Sequence, residues 1–234
     1  MKYIRKIVIL ICLIGIIYSG YHIIKWRMNV TGNEKIKEEI MTNINKDNYE
    51  VNFEKLKSQN EDTVAYLIVK NTEVDNVVVK GKDNDYYLNH NFNKTSNVAG
   101  WIFADYRNKF DGSDRNIIIY GHNMRDGSMF GTLKNALNNA WQQDKSNQTI
   151  ILITEKGKLE YEVFSTYQIE AEEYYLNTEF SNDAEYEKFL DTIKNRSNYD
   201  YGVSLTSQDK ILTLSTCTGN GKDRVVVHAR LISN

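Results

Sequence analysis

The run Ile211-Leu212-Thr213-Leu214-Ser215-Thr216-Cys217, followed seven residues on by Arg224-Val225-Val226-Val227, is the stretch on which both fold and chemistry turn. Residues 211–216 alternate and are rich in β-branched side chains, so they read as a strand that carries Cys217 to its end. Residues 218–223, Thr-Gly-Asn-Gly-Lys-Asp, read as the loop that turns the chain back into a second strand. Cys217 therefore stands at a strand mouth. A thiol there does chemistry only if a neighbour lowers its pKa or takes its proton, because the thiolate is the nucleophile. Two helpers are in the sequence: Arg224 across the turn, and His122, which follows the strongly apolar strand signal Asn116-Ile117-Ile118-Ile119-Tyr120.

Working outward, strand signals recur over residues 64–69, 77–79, 98–103 and 115–120. They continue over 148–154 and 159–169, which flank the hairpin Glu155-Lys156-Gly157-Lys158, and end with 224–232. Helical spacing predicts an amphipathic helix over 33–46 (Ile36, Ile40, Ile44) and a short one around Phe53 and Leu56. A further helix is expected over 128–141, with Ser128 as N-cap and Met129, Leu133 and Leu137 on one face. The last, over 182–196, aligns Tyr186, Phe189, Leu190 and Ile193. Many short strands and few helices make a mainly β domain, and they favour a closed or nearly closed barrel over a parallel α/β sheet. There is no proline, so turns rest on Gly, Asn and Asp.

A chain of 234 residues with 41% hydrophobic and 26% charged residues is that of a folded domain with an appendage. Five of the 29 basic residues and none of the 31 acidic ones lie within residues 1–27, so the remainder carries a formal charge of −7. Such an acidic domain is a poor partner for nucleic acid. Residues 7–24 hold no formal charge with His22 neutral, and Lys2, Arg5 and Lys6 precede them while Lys25, Trp26 and Arg27 follow. That is close to the ~20 residues of a membrane-spanning helix; the rival is a cleaved secretory signal, whose apolar core usually runs ~7–15 residues and for which Ser19-Gly20 is a weak cleavage site. The expectation is an uncleaved single-pass anchor over 1–27, with the N-terminus inside and the remainder outside. Cys12 lies within that segment and Cys217 in the domain, so no bridge joins them and Cys217 is left as a free thiol. No cluster of Cys and His suggests a metal, and no cofactor is expected.

The Thr-Leu-Ser-Thr-Cys box with Arg224 seven residues on resembles the sortases. Class B sortases in particular are resembled by Tyr120-Gly121-His122-Asn123-Met124 with Asp126-Gly127-Ser128-Met129-Phe130, by Gly81-Lys82-Asp83-Asn84-Asp85-Tyr86-Tyr87-Leu88-Asn89-His90, and by Ile102-Phe103-Ala104-Asp105-Tyr106-Arg107-Asn108. The resemblance runs from about residue 65 to 231. It implies an eight-stranded β-barrel with N-terminal helices and a helix in the long connection between strands 6 and 7, where residues 182–196 fall. The implied layout is an anchor over 1–27, a helical segment over 28–62 and a catalytic barrel over 63–234.

Cutting a peptide bond with a thiol needs a nucleophile, a proton donor for the departing amine and a stabiliser for the oxyanion. By resemblance Cys217 attacks a Thr carbonyl in the sorting signal of a surface protein, an Asn-Pro-x-Thr-type motif. His122 protonates the leaving amine and later deprotonates the incoming one, and Arg224 steadies substrate and oxyanion. The implied acceptor is an amine of peptidoglycan or of its lipid-linked precursor. Leu88, Asn89, Tyr120 and Ser215 resemble groove-lining positions, although Leu88 and Tyr120 read equally as core. The far wall of the groove is expected from residues 170–180, where Tyr174 and Tyr175 offer apolar surface with a polar tip. His228 and His90 read as a structural and a loop residue. The competing readings are a cell-wall cysteine peptidase, a peptidoglycan cross-linking transpeptidase, and a surface-anchored binding domain with an inert thiol.

Overall fold

Residues 2–41 carry no proline and no strong stop signal, and they form one helix, α1 (Lys2–Met41), about 60 Å long at 1.5 Å per residue. The computed structural model describes residues 2–217 and 222–233, with Cys217 and Ser233 described by backbone alone. The amphipathic helix expected over 33–46 is therefore the last part of α1 and not a separate element. Ile36 and Ile40 pack on the barrel, while Ile44 falls in a two-residue strand, β1 (Ile44–Asn45), that pairs with β2 (Glu50–Val51). Asn33 does not cap or stop α1, because its side chain is taken by the domain: it donates to the Gly100 carbonyl (3.1 Å) and accepts from Asn97 (2.9 Å). An 18-residue stretch of α1 is apolar enough to cross a membrane, and none of it is buried against the rest of the chain. The short helix α2 (Phe53–Gln59) follows, its N-cap Asn52 accepting from the Lys55 amide.

Eight further strands close into a barrel. They are β3 (Thr63–Val69), β4 (Asp75–Val79), β5 (Phe103–Ala104), β6 (Asn116–Tyr120), β7 (Thr149–Thr154), β8 (Gly157–Glu170), β9 (Ile211–Cys217) and β10 (Asp223–Ser233). Their order around the wall is β10-β8-β7-β3-β4-β5-β6-β9, with β9 closing on β10. The β4–β5 and β6–β9 pairs are parallel and the rest antiparallel. Alternation along each strand splits the apolar residues between two cores. Leu67, Val78, Ile119, Leu152, Val163, Leu214 and Val227 fill the first, inside the barrel. Phe164, Tyr167, Ile211 and Val226 belong to the second, outside it, where Tyr186, Phe189, Leu190 and Ile193 of a helix cover them. Three short helical pieces, a 3₁₀ turn Leu133–Leu137, α3 (Asn139–Gln143) and a 3₁₀ turn Lys145–Asn147, link β6 to β7. The covering helix is α4 (Asp183–Asn195), in the connection between β8 and β9, the sixth and seventh barrel strands, as expected. Its N-cap Asn182 accepts from the Glu185 amide.

Two expected elements are shorter than their sequence pattern. The strand over 98–103 contracts to β5, because Gly100 adopts a left-handed φ of +55° and leaves Val98 exposed in the preceding loop. The helix over 128–141 is broken into turns, the 3₁₀ piece and α3. Met129 sits at φ +52°, and the Ser128 hydroxyl donates to Asp126 (2.7 Å) where an N-cap would accept from the helix.

Candidate active site

Because β6 and β9 run parallel, their C-terminal ends emerge at one rim, with Tyr120 in register with Ser215. The antiparallel β9–β10 pair sets Arg224 opposite the backbone of Cys217. His122 lies two residues beyond the end of β6, so the positions of Cys217, Arg224 and His122, far apart in sequence, converge by strand register alone. The side chain of Cys217 and residues 218–221 lie outside the described residues.

Between these ends and the segment 171–176 lies a cleft of ≈ 530 Å³. Of the residues predicted to work here, His122, Arg224, Leu88, Tyr120, Ser215 and Tyr175 line it. Asn89 and Tyr174 are not among its lining. Asn89 is a turn residue whose carbonyl accepts from the Asn97 amide at 2.8 Å. Tyr174 turns toward α4, its ring against Phe189 and under Arg196 and its hydroxyl donating to Thr192 (3.3 Å). Tyr175 is the tyrosine of the pair that faces inward, its hydroxyl 2.9 Å from the Ser215 hydroxyl.

The His122 ring is held from one side. Its Nε2 lies 2.8 Å from the Leu88 carbonyl, which can only accept, so Nε2 carries a proton and Nδ1 is left for exchange. That carbonyl is itself fixed by close packing: a Cβ on Gly100 would lie 2.7 Å from it and 2.3 Å from the Tyr87 carbonyl, so only glycine fits. On the other side Gly121 passes so near Phe130 that a Cβ would meet the ring at 2.7 Å. Phe130 and Met124 both donate their amides to the His122 carbonyl (2.9 and 3.0 Å), which folds the 123–130 loop back onto the histidine. Arg224 is half-buried in the cleft wall, with Nη1 donating to the Asp223 carbonyl at 3.1 Å.

Behind the floor lies Asp105, which belongs to the quoted stretch 102–108 but was given no role there. The carboxylate of Asp105 is fully buried and accepts from the Arg107 Nε and Nη2 (2.8 and 2.7 Å), the Arg107 amide (3.0 Å), the Tyr120 hydroxyl (2.8 Å) and Asn84 (2.9 Å). Burial alone would raise its pKa, but the Arg107 guanidinium and the other donors outweigh it and hold the carboxyl below the usual carboxylate range. Burial, with the Asp105 charge beside it, pushes the Tyr120 phenol well above its ordinary value. Asn84 and Glu172 also line the cleft and were not singled out in the sequence. Among the described residues, no group of three or more His, Cys, Asp or Glu side chains gathers to hold a metal.

The sortase-domain family model matches residues 67–232. The chain is similar to sortase B of Listeria monocytogenes serovar 1/2a, 38% identical over 181 residues that cover 76% of this chain and 73% of the relative. Among solved structures it is similar to Clostridium perfringens sortase B, with 40% identity and a TM-score of 0.73 over 77% of this chain and 100% of that one. It is also similar to a Staphylococcus aureus sortase B–substrate complex, with 32% identity and a TM-score of 0.79 over 88% and 97%.

Proposed function

This chain belongs to the sortase family and is a cysteine transpeptidase of the class B type, and on that premise we propose that Cys217, His122 and Arg224 carry its reaction on an Asn-Pro-x-Thr-type sorting signal. The single observation that supports the assignment is the convergence of His122 and Arg224 on one cleft, at the rim where the backbone of β9 ends in Cys217. The Cys217 thiolate attacks the Thr carbonyl carbon, a C–S bond forms and the carbonyl electron pair moves to oxygen. The guanidinium of Arg224 meets that negative charge. When the tetrahedral species collapses the C–N bond breaks, and the departing amine takes a proton from His122. An amine of peptidoglycan or its precursor then attacks the thioester and gives its proton to His122, and the thiolate leaves. The Leu88 carbonyl keeps Nε2 protonated throughout, so Nδ1 is the nitrogen that gives and takes.

Residues 1–27 serve as a single-pass anchor, with residues 28–62 as the helical stand-off and 63–234 as the catalytic domain on the outer face. The basic flanks and the apolar, unburied stretch of α1 support this. Protease added to intact cells is expected to digest the domain and leave the N-terminus.

The test of the chemistry uses the full chain in detergent with a small library of pentapeptides, with and without an added amine. Cys217→Ala is expected to abolish turnover with melting unchanged, while His122→Ala and Arg224→Ala cost about 10²–10⁴-fold in kcat. An active Cys217→Ala protein overturns the assignment. Product that ignores the amine makes the enzyme a hydrolase, and reaction only with peptidoglycan stems makes it a cross-linking enzyme.

A further inference from the structure

The cleft has three parts that come from distant stretches of the chain. Asn84 stands on the near lip, Tyr120 on the floor and Leu176 at the far wall. One buried carboxylate reaches all three. Asp105 Oδ2 accepts directly from Asn84 and from the Tyr120 hydroxyl, and the Arg107 Nη2 that donates to Oδ2 also donates to the Leu176 carbonyl at 2.9 Å. The carboxylate does not face the cleft as a ligand, since its side chain has no exposed surface and its oxygens receive five hydrogen bonds.

The turn that bears these residues is itself fixed to the floor strand. Asn108 donates its amide to the Asp105 carbonyl (3.0 Å), and its side chain donates to the Asn116 carbonyl (2.7 Å) and accepts from the Ile118 amide (2.8 Å). The tie is therefore anchored to β6, whose next residues are Gly121 and His122. A second tie holds the same wall from beneath: Asn116 Nδ2 donates to the Asn177 carbonyl at 2.9 Å. Beyond the Ala171 amide, which donates to the Lys222 carbonyl at 2.9 Å, the described residues of segment 171–176 lie outside the strands, and a loop of this kind depends on side-chain contacts for its position.

We propose that Asp105 and Arg107 are positioning residues of the transpeptidase, which set the width of the substrate cleft by tying its lip and floor to the far wall. The fork geometry matters: a guanidinium can span a carboxylate edge and still have an N–H for the Leu176 carbonyl, whereas an ammonium is a point charge that can favour only one. Arg107 is not among the residues lining the cleft and acts through the wall.

The inference rests on the reading of this cleft as the active site, and the experiment separates the two. With the full chain in detergent and the best sorting pentapeptide, KM and kcat are measured for Arg107→Gln, Arg107→Lys and Asp105→Asn beside Cys217→Ala, with active fraction from titration of the thiol by an alkylating agent. Arg107→Gln is expected to raise KM about tenfold or more with kcat per active site within about threefold, the size of a lost charge-assisted bond. Arg107→Lys should recover part of that loss, and Asp105→Asn should raise KM at least as far as Arg107→Gln. A merely structural role would lower the active fraction and leave KM unchanged. An unchanged KM in Arg107→Gln, or equal KM in the Lys and Gln variants, overturns the proposal while Cys217→Ala stays inert. If Cys217→Ala is active, the reading of the cleft itself has failed. Arg107 is partly exposed, so its pair of variants keeps the test decisive if Asp105→Asn does not fold.

Discussion

The two faces of β9 obey different rules although they alternate residue by residue. Leu212 and Leu214 point into the barrel and are fully buried in an apolar core. Thr213 and Ser215 point outward and are also buried, Ser215 against the cleft, and yet they are polar. On that outer face hydrogen bonds run in one direction. Asn116 Nδ2 donates to the Asn177 carbonyl, so its Oδ1 accepts from the Thr213 hydroxyl (2.7 Å). Thr213 has then spent its proton and accepts from His228 Nδ1–H (2.9 Å), which leaves Nε2 to accept from the Tyr167 hydroxyl (2.8 Å). Arg196 lies over the Tyr167 ring and pairs with Glu172, which lines the cleft. One face of the strand thus supplies stability, and the other holds the cleft wall at both of its ends.

The inner face should give the larger effect. Leu214→Ala leaves a cavity in the barrel and is expected to cost about 2–5 kcal/mol, read as a fall in the denaturation midpoint. Its kcat per active site at low temperature should stay within about threefold, since the outer network is untouched. Selective loss of activity without loss of stability would break the division of labour.

Most of that inner face was legible in the sequence, because a strand with one buried face announces itself by period 2. The same holds for α4, whose Tyr186, Phe189, Leu190 and Ile193 repeat at helical spacing with Asn182 ready to cap. Periodicity failed where a single backbone angle intervened. Gly100 cut the strand expected at 98–103 because it must pass under the Tyr87 and Leu88 carbonyls, and Met129 at positive φ broke the helix expected at 128–141. The N-terminal helix ran on past its expected end because Asn33 found partners at Asn97 and Gly100, 64 and 67 residues away. His122 and Arg224 could be named from their motifs and the pair Tyr174 and Tyr175 from the wall segment, but which tyrosine faces the cleft was decided only by the fold. Asp105 could not, since a carboxylate in a turn looks solvated until Tyr120, Asn84 and Arg107 are seen to converge on it.

The outer face carries a pH dependence that the inner face lacks. Burial, with the Arg196 charge as a smaller contribution, pushes the His228 imidazole down to about 3. In the unfolded chain a histidine titrates near ~6.5. Between these values the unfolded state takes up a proton that the folded state refuses, so stability is constant above about pH 6.5 and falls as the pH drops toward 3. The loss approaches ~1.4 kcal/mol per pH unit, or about 2 kcal/mol near pH 5. Chemical denaturation of wild type and His228→Gln across this window checks it: the variant should lose less stability per pH unit, and parallel curves would show that His228 takes up a proton in the folded state.

The smallest effect is expected where the outer face meets the cleft. Ser215 and Tyr175 share one hydrogen bond at 2.9 Å, and Ser215 sits at the open end of the strand while Thr213 lies deep beneath α4. Ser215→Ala leaves the Tyr175 hydroxyl beside a cleft that water can enter, so the cost should be about 1 kcal/mol or less, a shift in Tm of about 2–4 °C. Thr213→Val, by contrast, strands the His228 Nδ1–H and the Asn116 Oδ1, both fully buried, and should cost about 1–3 kcal/mol. The ratio of the two sharpens the comparison, because it measures burial along a single polar face with the chemistry of the deleted group held constant. Equal losses at Ser215 and Thr213 would mean that depth beneath α4 does not govern this face, and that the network is no more than a row of independent bonds.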